Sequence, residues 1–198
     1  MNNFEQSQTY KNLARAFAGE CQAGARYQFL ASMCEQNGYF YLKNILKKLA
    51  KNEMSHAKRF YDIIVNQSES LVKNIEICAG YPFKGGTLEE VFMHTMDNER
   101  SESENIYPSF AKVANDEGFK DISNVFTMVG NVEKTHTAML EEIWTKLKNK
   151  KLYKSTTPTN WKCDECGFEN ANKAAWNTCP LCLKEQGYCQ VTLSCESN

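Results

Sequence analysis

The sequence predicts an all-α bundle of four long helices followed by a small cysteine-rich β domain. Apolar residues recur at helical spacing through most of the first 149 positions, a pattern typical of amphipathic helices. Four of the nine cysteines stand in two Cys-x-x-Cys pairs near the C-terminus. Residues 161–198, which contain these pairs, are too few to be stable on a hydrophobic core alone and need an additional staple.

The first half of the bundle is expected to contain two helices. Helical spacing predicts the first over about residues 6–36, closed by the turn Asn37-Gly38. The second is predicted from about residue 39 to 65. Residues 66–86 then interrupt the pattern with mixed polar, glycine and proline residues, which indicates a long connection.

The second half is expected to contain two more helices. Thr87 followed by Glu90 is a capping-box start for a third helix over about residues 87–115, in which Pro108 predicts a kink. The fourth helix is predicted over about residues 119–149. Two short outer connections and one long middle crossover are the ferritin-like topology of a four-helix bundle.

These elements divide the chain into three segments. Residues 1–149 are assigned to the ferritin-like bundle and residues 161–198 to the small domain. Residues 150–160 are first basic and then rich in Ser, Thr and Pro, which predicts a linker between the two domains.

The motif Glu-x-x-His occurs twice, as Glu53-His56 in the second predicted helix and as Glu133-His136 in the fourth. Residues three apart are neighbours on one helix face, so each pair presents a carboxylate and an imidazole together. The first and third helices each add a single glutamate. These are Glu20 and Glu99.

Any one of these charged residues could simply be exposed to solvent. A glutamate from each of two helices with Glu-x-x-His from each of the other two is, however, the ligand set of carboxylate-bridged diiron bundles. Carboxylates neutralise and bridge two close cations, while imidazole supplies a neutral ligand to each. The sequence therefore predicts a two-metal site inside the bundle.

The two Cys-x-x-Cys pairs predict a second metal site. They supply four thiolates, which in this spacing bind one tetrahedral Fe or Zn ion. The four residues are Cys163, Cys166, Cys179 and Cys182. The knuckles "CGF" and "CPLC", with tryptophan and phenylalanine nearby, resemble rubredoxin, whereas a zinc ribbon uses similar spacing.

Composition limits the remaining function classes. A net charge of −1 gives no field that would favour nucleic acid or an acidic membrane. The sequence lacks a signal-peptide pattern and any apolar run of transmembrane length, so we expect a cytoplasmic protein that contacts no membrane. Five further cysteines are expected to be free thiols and receive no functional assignment. They are Cys21, Cys34, Cys78, Cys189 and Cys195.

Over nearly its whole length the chain resembles the rubrerythrin family. The resemblance is carried by "GE" with Tyr27 seven residues on, "NEMSHAKRF", "ERSESENIYPSFAKVANDEGF", "VEKTH" and the C-terminal cysteine knuckles. It implies seven diiron ligands, which are Glu20, Glu53, His56, Glu99, Glu102, Glu133 and His136. In this family one iron moves between a histidine and an additional carboxylate with redox state, which here implies His56 and Glu102. The resemblance also implies that Tyr27 and Tyr107 hydrogen-bond ligand carboxylates.

The resemblance implies a non-haem diiron peroxidase that reduces hydrogen peroxide to water in oxidative-stress defence. It implies three Fe per chain, with Zn possible at the cysteine site. Electrons would come from a NAD(P)H-linked reductase or a rubredoxin through the cysteine-bound iron, in a head-to-tail homodimer. Two other classes remain open: a ferroxidase or iron-handling protein, and a zinc-ribbon interaction module on a helical scaffold.

Overall fold

The computed structural model describes residues 4–69, 71–72 and 74–193, so the predicted free thiol Cys195 lies outside the described residues. The helices are α1 Gln8–Gln36, α2 Phe40–Gln67, α3 Leu88–Ser101, a π-helical turn Glu102–Ile106, α4 Tyr107–Asp116 and α5 Lys120–Lys148. Together α3, the π-helical turn and α4 form the third rod of a four-helix bundle. The predicted ferritin-like bundle with a long second connection is confirmed. Among the described residues, no helix is both long and apolar enough to cross a membrane.

The helix ends follow from their capping residues. The Ser7 side chain accepts a hydrogen bond from the Tyr10 N–H at the start of α1. At the start of α3, Thr87 and Glu90 form both hydrogen bonds of the predicted capping box. Gly38 has φ +76° in the tight turn between α1 and α2, a conformation that glycine adopts without a Cβ penalty.

The third rod contains a π-helical turn where the sequence predicted a kink. The turn spans Glu102–Ile106, directly before α4, and the Tyr107 N–H donates to the Glu102 carbonyl five residues back. Pro108 follows at the start of α4 and has no N–H to donate, so the regular hydrogen-bond ladder is interrupted here. The prediction of one kinked helix is therefore corrected to two α-helices joined by a wider turn.

Two apolar clusters fill the bundle and leave a polar layer between them. One cluster contains Tyr27, Leu49 and Leu140, and the other contains Leu13, Phe60 and Phe126. Glu20 lies between Leu13 and Tyr27 on α1, and the other helices show the same alternation. The predicted carboxylate ligands therefore occupy a layer with hydrophobic packing above and below.

The small domain contains an antiparallel pair of strands, β1 Lys154–Lys162 and β2 Glu169–Ala174. Residues 154–160, predicted as linker, form most of β1. The isolated bridge Cys163–Cys189 and the 3₁₀ turn Gln186–Tyr188 follow. The predicted small β domain with four clustered cysteines is confirmed.

The small domain packs against its own bundle near the turn between α1 and α2. Val191 and Leu193 are buried in the same apolar cluster as Tyr27. The rings of Phe40 and Tyr188 stack with centroids 4.4 Å apart. Asn44 Nδ2 donates to Asp164 Oδ2 at 2.9 Å, next to the predicted ligand Cys163. Further polar contacts include that of the Lys146 ammonium with the Thr192 carbonyl.

Candidate metal centre

Five of the predicted bundle ligands are almost fully buried. The exposed fractions are 2 % for Glu20, 0 % for Glu53, 1 % for Glu99, 0 % for Glu133 and 2 % for His136. Each comes from a different turn of α1, α2, α3 or α5, and all face the centre of the bundle. Ionised carboxylates are seldom buried without a compensating charge, so this layer requires cations.

The ligand atoms form two overlapping groups. In each group the donor atoms lie within 4.8 Å of one another. One group is Glu20, Glu53, His56 and Glu133, and the other is Glu53, Glu99, Glu133 and His136. Glu53 and Glu133 belong to both groups, so two cations held here would share these carboxylates as bridges.

The two histidines occupy opposite sides of the shared carboxylates. His56 Nδ1 lies 3.0 Å from Glu133 Oε1 and 3.1 Å from Glu20 Oε2. His136 Nδ1 lies 2.8 Å from Glu133 Oε2 and 3.0 Å from Glu53 Oε1. The rings are nearly parallel, with centroids 6.3 Å apart. Each imidazole can therefore serve one of two neighbouring ions.

The buried charges shift the acidity of every group in the layer. Burial raises the pKa of Glu20 and of Glu99 well above the ordinary carboxyl value. Burial acts in the same direction on Glu53, but contacts with His136 and His56 lower its pKa to about 2. Although burial alone would lower the pKa of His136, the carboxylates of Glu133 and Glu53 raise it to about 12. Without metal, protonated histidines thus compensate part of the carboxylate charge.

The donor set fits a pair of iron ions. Several buried oxygens and nitrogens of Glu53, Glu99, Glu133 and His136 lie at ion-pair distance from one another but make no hydrogen bond of good geometry within the described residues. Such orphaned atoms are costly in a bundle core unless they bind a partner. Carboxylates with one imidazole per ion are the donors of carboxylate-bridged diiron sites.

Glu102, implied as an additional ligand, lies outside both groups. It is the first residue of the π-helical turn and is partly exposed. Burial of its carboxylate, together with the charge of Glu133, raises its pKa to about 8, while the charge of Arg26 opposes that rise. Its assignment as a ligand stays a prediction.

The two predicted tyrosines differ in their contacts. The Tyr107 hydroxyl donates a hydrogen bond to Glu20 Oε1 in the buried core. The Tyr27 ring packs edge-on against His136, with centroids 6.3 Å apart. Its hydroxyl is buried and makes no hydrogen bond within the described part of the chain. The predicted role of Tyr27 in orienting a carboxylate is therefore left as a prediction.

The cysteine site is assembled in the small domain. Cys163 Sγ and Cys182 Sγ are 3.7 Å apart, as are Cys166 Sγ and Cys179 Sγ. All four sulfurs lie within 4.8 Å of one another. Burial alone would raise the pKa of Cys179, but N–H groups of Cys182 and Leu181 lower it to about 7, which favours a thiolate.

Sequence reasoning missed the surroundings of both sites. Cys189 is fully buried beside Cys163, and burial raises its pKa to about 12. Arg15 and Arg26 line a cavity that reaches Glu102. Arg15 and Arg26 are eleven residues apart, which places both on one face of α1. This spacing was the sign in the sequence that the two arginines could line one surface.

Comparison with known proteins gives the family. The rubrerythrin family model matches residues 11–144. The chain is 35 % identical to rubrerythrin of Clostridium perfringens over 193 residues, covering 96 % of this chain and 97 % of the relative. It is 33 % identical to rubrerythrin of Porphyromonas gingivalis, covering 92 % of this chain and 88 % of the relative.

Solved structures share the fold. Nigerythrin in a mixed-valence state covers 97 % of this chain and 94 % of its own, with a TM-score of 0.61 and 20 % identity. The bacterioferritin of Mycobacterium tuberculosis covers 72 % of this chain and 89 % of its own, with a TM-score of 0.61 and 21 % identity. The family model and the relatives at 33–35 % identity establish that the chain belongs to the rubrerythrin family.

Proposed function

We propose that the protein is a NAD(P)H-linked peroxidase that reduces hydrogen peroxide to water at a diiron site. The observation that carries the proposal is the pair of overlapping ligand groups that share Glu53 and Glu133. Bound as a pair, iron ions would supply the two electrons that peroxide reduction requires, and the protein supplies position and charge balance. The seven implied ligands are Glu20, Glu53, His56, Glu99, Glu102, Glu133 and His136.

The side chains have distinct roles in this proposal. Glu53 and Glu133 belong to both groups, so they would hold both ions and their charges would offset the repulsion between the ions. Tyr107 holds the Glu20 carboxylate in place by its hydrogen bond. Reduction of one peroxide to two waters consumes two protons. Glu102 lies beside this layer and outside both ligand groups, and we assign its carboxyl the role of carrying one of these protons.

The cysteine site is proposed to return electrons one at a time from a reductase or a rubredoxin. We propose three Fe per chain and a homodimer in which electrons cross between subunits. The contact of Asn44 with Asp164 supports a path within one chain as the alternative. Asn44 precedes Glu53 by nine residues on α2, which corresponds to about 14 Å of helix rise.

A mixed dimer distinguishes these two paths. One subunit carries Glu53→Ala, and the other carries Cys182→Ser. Relay between chains leaves one complete path and about half of the peroxidase activity from reductant, because each subunit then supplies one intact site. Relay within a chain leaves no complete path, and an inactive mixed dimer would exclude transfer between subunits.

Metal analysis and single-turnover kinetics test the activity itself. We expect red protein that bleaches with dithionite, three Fe per chain, and faster reoxidation by hydrogen peroxide than by dioxygen. Glu102→Ala should retain most of the iron but slow the peroxide reaction about 10²- to 10⁴-fold, the factor that a general acid typically contributes. The dioxygen reaction should slow far less. Colourless protein with zinc at the cysteines, or reoxidation by dioxygen alone, would contradict the proposal.

A further inference from the structure

A cavity of about 620 Å³ lies beside the polar layer, between α1, the crossover segment 78–82 and the π-helical turn. Its walls include Arg15, Gly19, Arg26, Tyr81, Glu102 and Tyr107. Within the part of the chain that the structure describes, no wall residue of this cavity belongs to α2 or α5. The cavity therefore meets the polar layer only from the side of α1 and the third rod.

The cavity reaches the site through two residues. Glu102 borders the cavity directly, and Tyr107 borders it while donating a hydrogen bond to Glu20. Among the described residues, the ligands of both groups are almost fully buried except His56, whose side chain is 14 % exposed and offers the competing route. A solute in the cavity would thus be separated from the site by one carboxylate and one phenol.

Tyr81 of the crossover segment forms part of the wall of this cavity. Its hydroxyl donates to the Arg15 carbonyl at 3.2 Å. Its Cε1 atom would lie 3.9 Å from a Cβ added at Gly19, so the ring packs over a position that has no side chain. The segment around Tyr81 contains neither helix nor strand. This hydrogen bond and the position of the ring over Gly19 hold Tyr81 against α1.

The polar groups of the wall suit a small neutral or anionic solute. Arg15 Nε and Arg26 Nε are buried and make no hydrogen bond within the described residues. Guanidinium N–H groups donate to oxygen and nitrogen acceptors and repel cations. Hydrogen peroxide and small anions such as azide meet these requirements.

We propose that this cavity is the access route of small neutral and anionic oxidants to the diiron site, and that Tyr81 over Gly19 is its gate. The inference rests on the proposed function, because it assumes metal in the bundle. Tyr81 and Gly19 control access and do not touch the reacting atoms. Their substitution should change the rate of arrival of a ligand without changing the number of bound ions.

The experiment measures azide binding to the cobalt-loaded full-length protein by stopped-flow absorption. Cobalt titration comes first, and a bundle that binds no cobalt contradicts the proposed function rather than the access route. Gly19→Leu places bulk under the Tyr81 ring and should slow azide association about tenfold, the factor that a barrier increase of about 1.4 kcal/mol produces. Gly19→Ala should stay close to wild type, because its Cβ meets the ring at an ordinary contact distance.

Two further variants keep the proposal falsifiable. Tyr81→Ala removes the ring over Gly19 and should accelerate azide association. This variant also tests the gate if Gly19→Leu does not fold. Ala25→Leu adds the same bulk to an exposed position of α1 and should change nothing. With cobalt fully bound, a wild-type association rate in Gly19→Leu would overturn the proposal and favour access past His56. If Gly19→Leu does not fold, a wild-type rate in Tyr81→Ala would overturn it in the same way.

Discussion

Glu53 and Glu133 differ from the other predicted ligands because both belong to the two groups of converging donor atoms. Glu20 and Glu99 belong to one group each. A shared carboxylate compensates the repulsion between two cations, whereas an unshared one serves its own ion. The consequences of neutralising these residues should therefore differ in the number of ions lost.

Glu53→Gln should prevent binding of both ions, while Glu20→Gln should leave the ion beside Glu99 and His136. Cobalt titration followed by absorption counts the bound ions. Glu141→Gln, with a carboxylate 57 % exposed on α5, is the control and should bind like the wild type. Loss of both ions in Glu20→Gln would show that the two positions are not independent.

The acidity of the layer predicts how the metal-free protein responds to pH. The pKa of Glu102 is raised from 4.5 to about 8, and that of His136 from 6.5 to about 12. Between pH 4.5 and about pH 8 the folded state keeps the Glu102 proton that the unfolded chain has lost, and between pH 6.5 and about pH 12 it keeps the His136 proton. Because the folded state holds more protons in these ranges, stability falls as pH rises. The urea midpoint of metal-free protein should decrease steadily from pH 5 to pH 9.

The metal-loaded protein should show the opposite trend over this range, because metal competes with protons for the same ligands. Glu102→Gln should flatten the metal-free curve between pH 5 and pH 8 in particular. A metal-free midpoint that rises with pH would contradict the assigned pKa directions.

Residue spacing made the ligands predictable but not their surroundings. Glu-x-x-His is defined within one helix, so the sequence alone places Glu53 beside His56. Tyr81 comes from a crossover without periodicity, and its position over Gly19 depends on how that segment folds back. Arg26 has a regular position on α1, but only the cavity shows what it faces.

The π-helical turn decides which way the second half of the third rod faces. Tyr107 follows Glu99 by eight residues, an offset that leaves it about 80° away in a regular α-helix. The wider turn absorbs about one residue, so Tyr107 comes to within about 20° of Glu99 and faces the site. Ala111 and Ala114 of α4 are brought into the core by the same adjustment.

Deleting Glu104 and Asn105 together should remove the extra residue of the turn and one residue more, so that α4 rotates by about 100°. Tyr107, Ala111 and Ala114 would then leave the core, and we expect a loss of about 3 kcal/mol or more in unfolding free energy. Urea unfolding followed by circular dichroism measures the change. Deleting the exposed Asn105 alone should close the turn into a regular α-helix that keeps Tyr107 about 20° from Glu99, and should cost less than about 1 kcal/mol. Equal stability of both variants would contradict this role of the turn.

Helix positions were predictable to within a few residues, whereas the π-helical turn was not. Apolar periodicity and the Thr87–Glu90 capping box mark where helices run and begin. A π turn has no composition of its own, and Pro108 indicates only that the ladder is broken somewhere nearby. The strand β1 was missed because Ser, Thr and Pro in residues 150–160 also suit a linker.

At the scale of the whole molecule, the two domains share one hydrophobic cluster. Val191 and Leu193 of the small domain are 2 % and 1 % exposed, among the same cluster that contains Leu30 and Leu140 of the bundle. Burial of apolar side chains across a boundary couples the stability of the two sides. The chain should therefore unfold in a single transition.

Leu193→Ala should lower the stability of the bundle itself by about 2–4 kcal/mol, because it leaves a cavity in the shared cluster. Helical circular dichroism during urea unfolding reports on the bundle. Leu183→Ala changes a leucine of the same domain that is 75 % exposed, and should leave the midpoint unchanged. An unchanged helical transition in Leu193→Ala would show that the domains are energetically separate.

Gly187 faces the turn between α1 and α2 so closely that a Cβ there would clash with the Gly38 carbonyl oxygen. The position of the small domain on the bundle therefore depends on glycine at residue 187, because every other amino acid carries a Cβ atom. Gly187→Ala would add a methyl group that tilts the cysteine site away from α2 while both ligand sets stay complete. This variant would change the distance between the two metal sites without changing the residues that form either site.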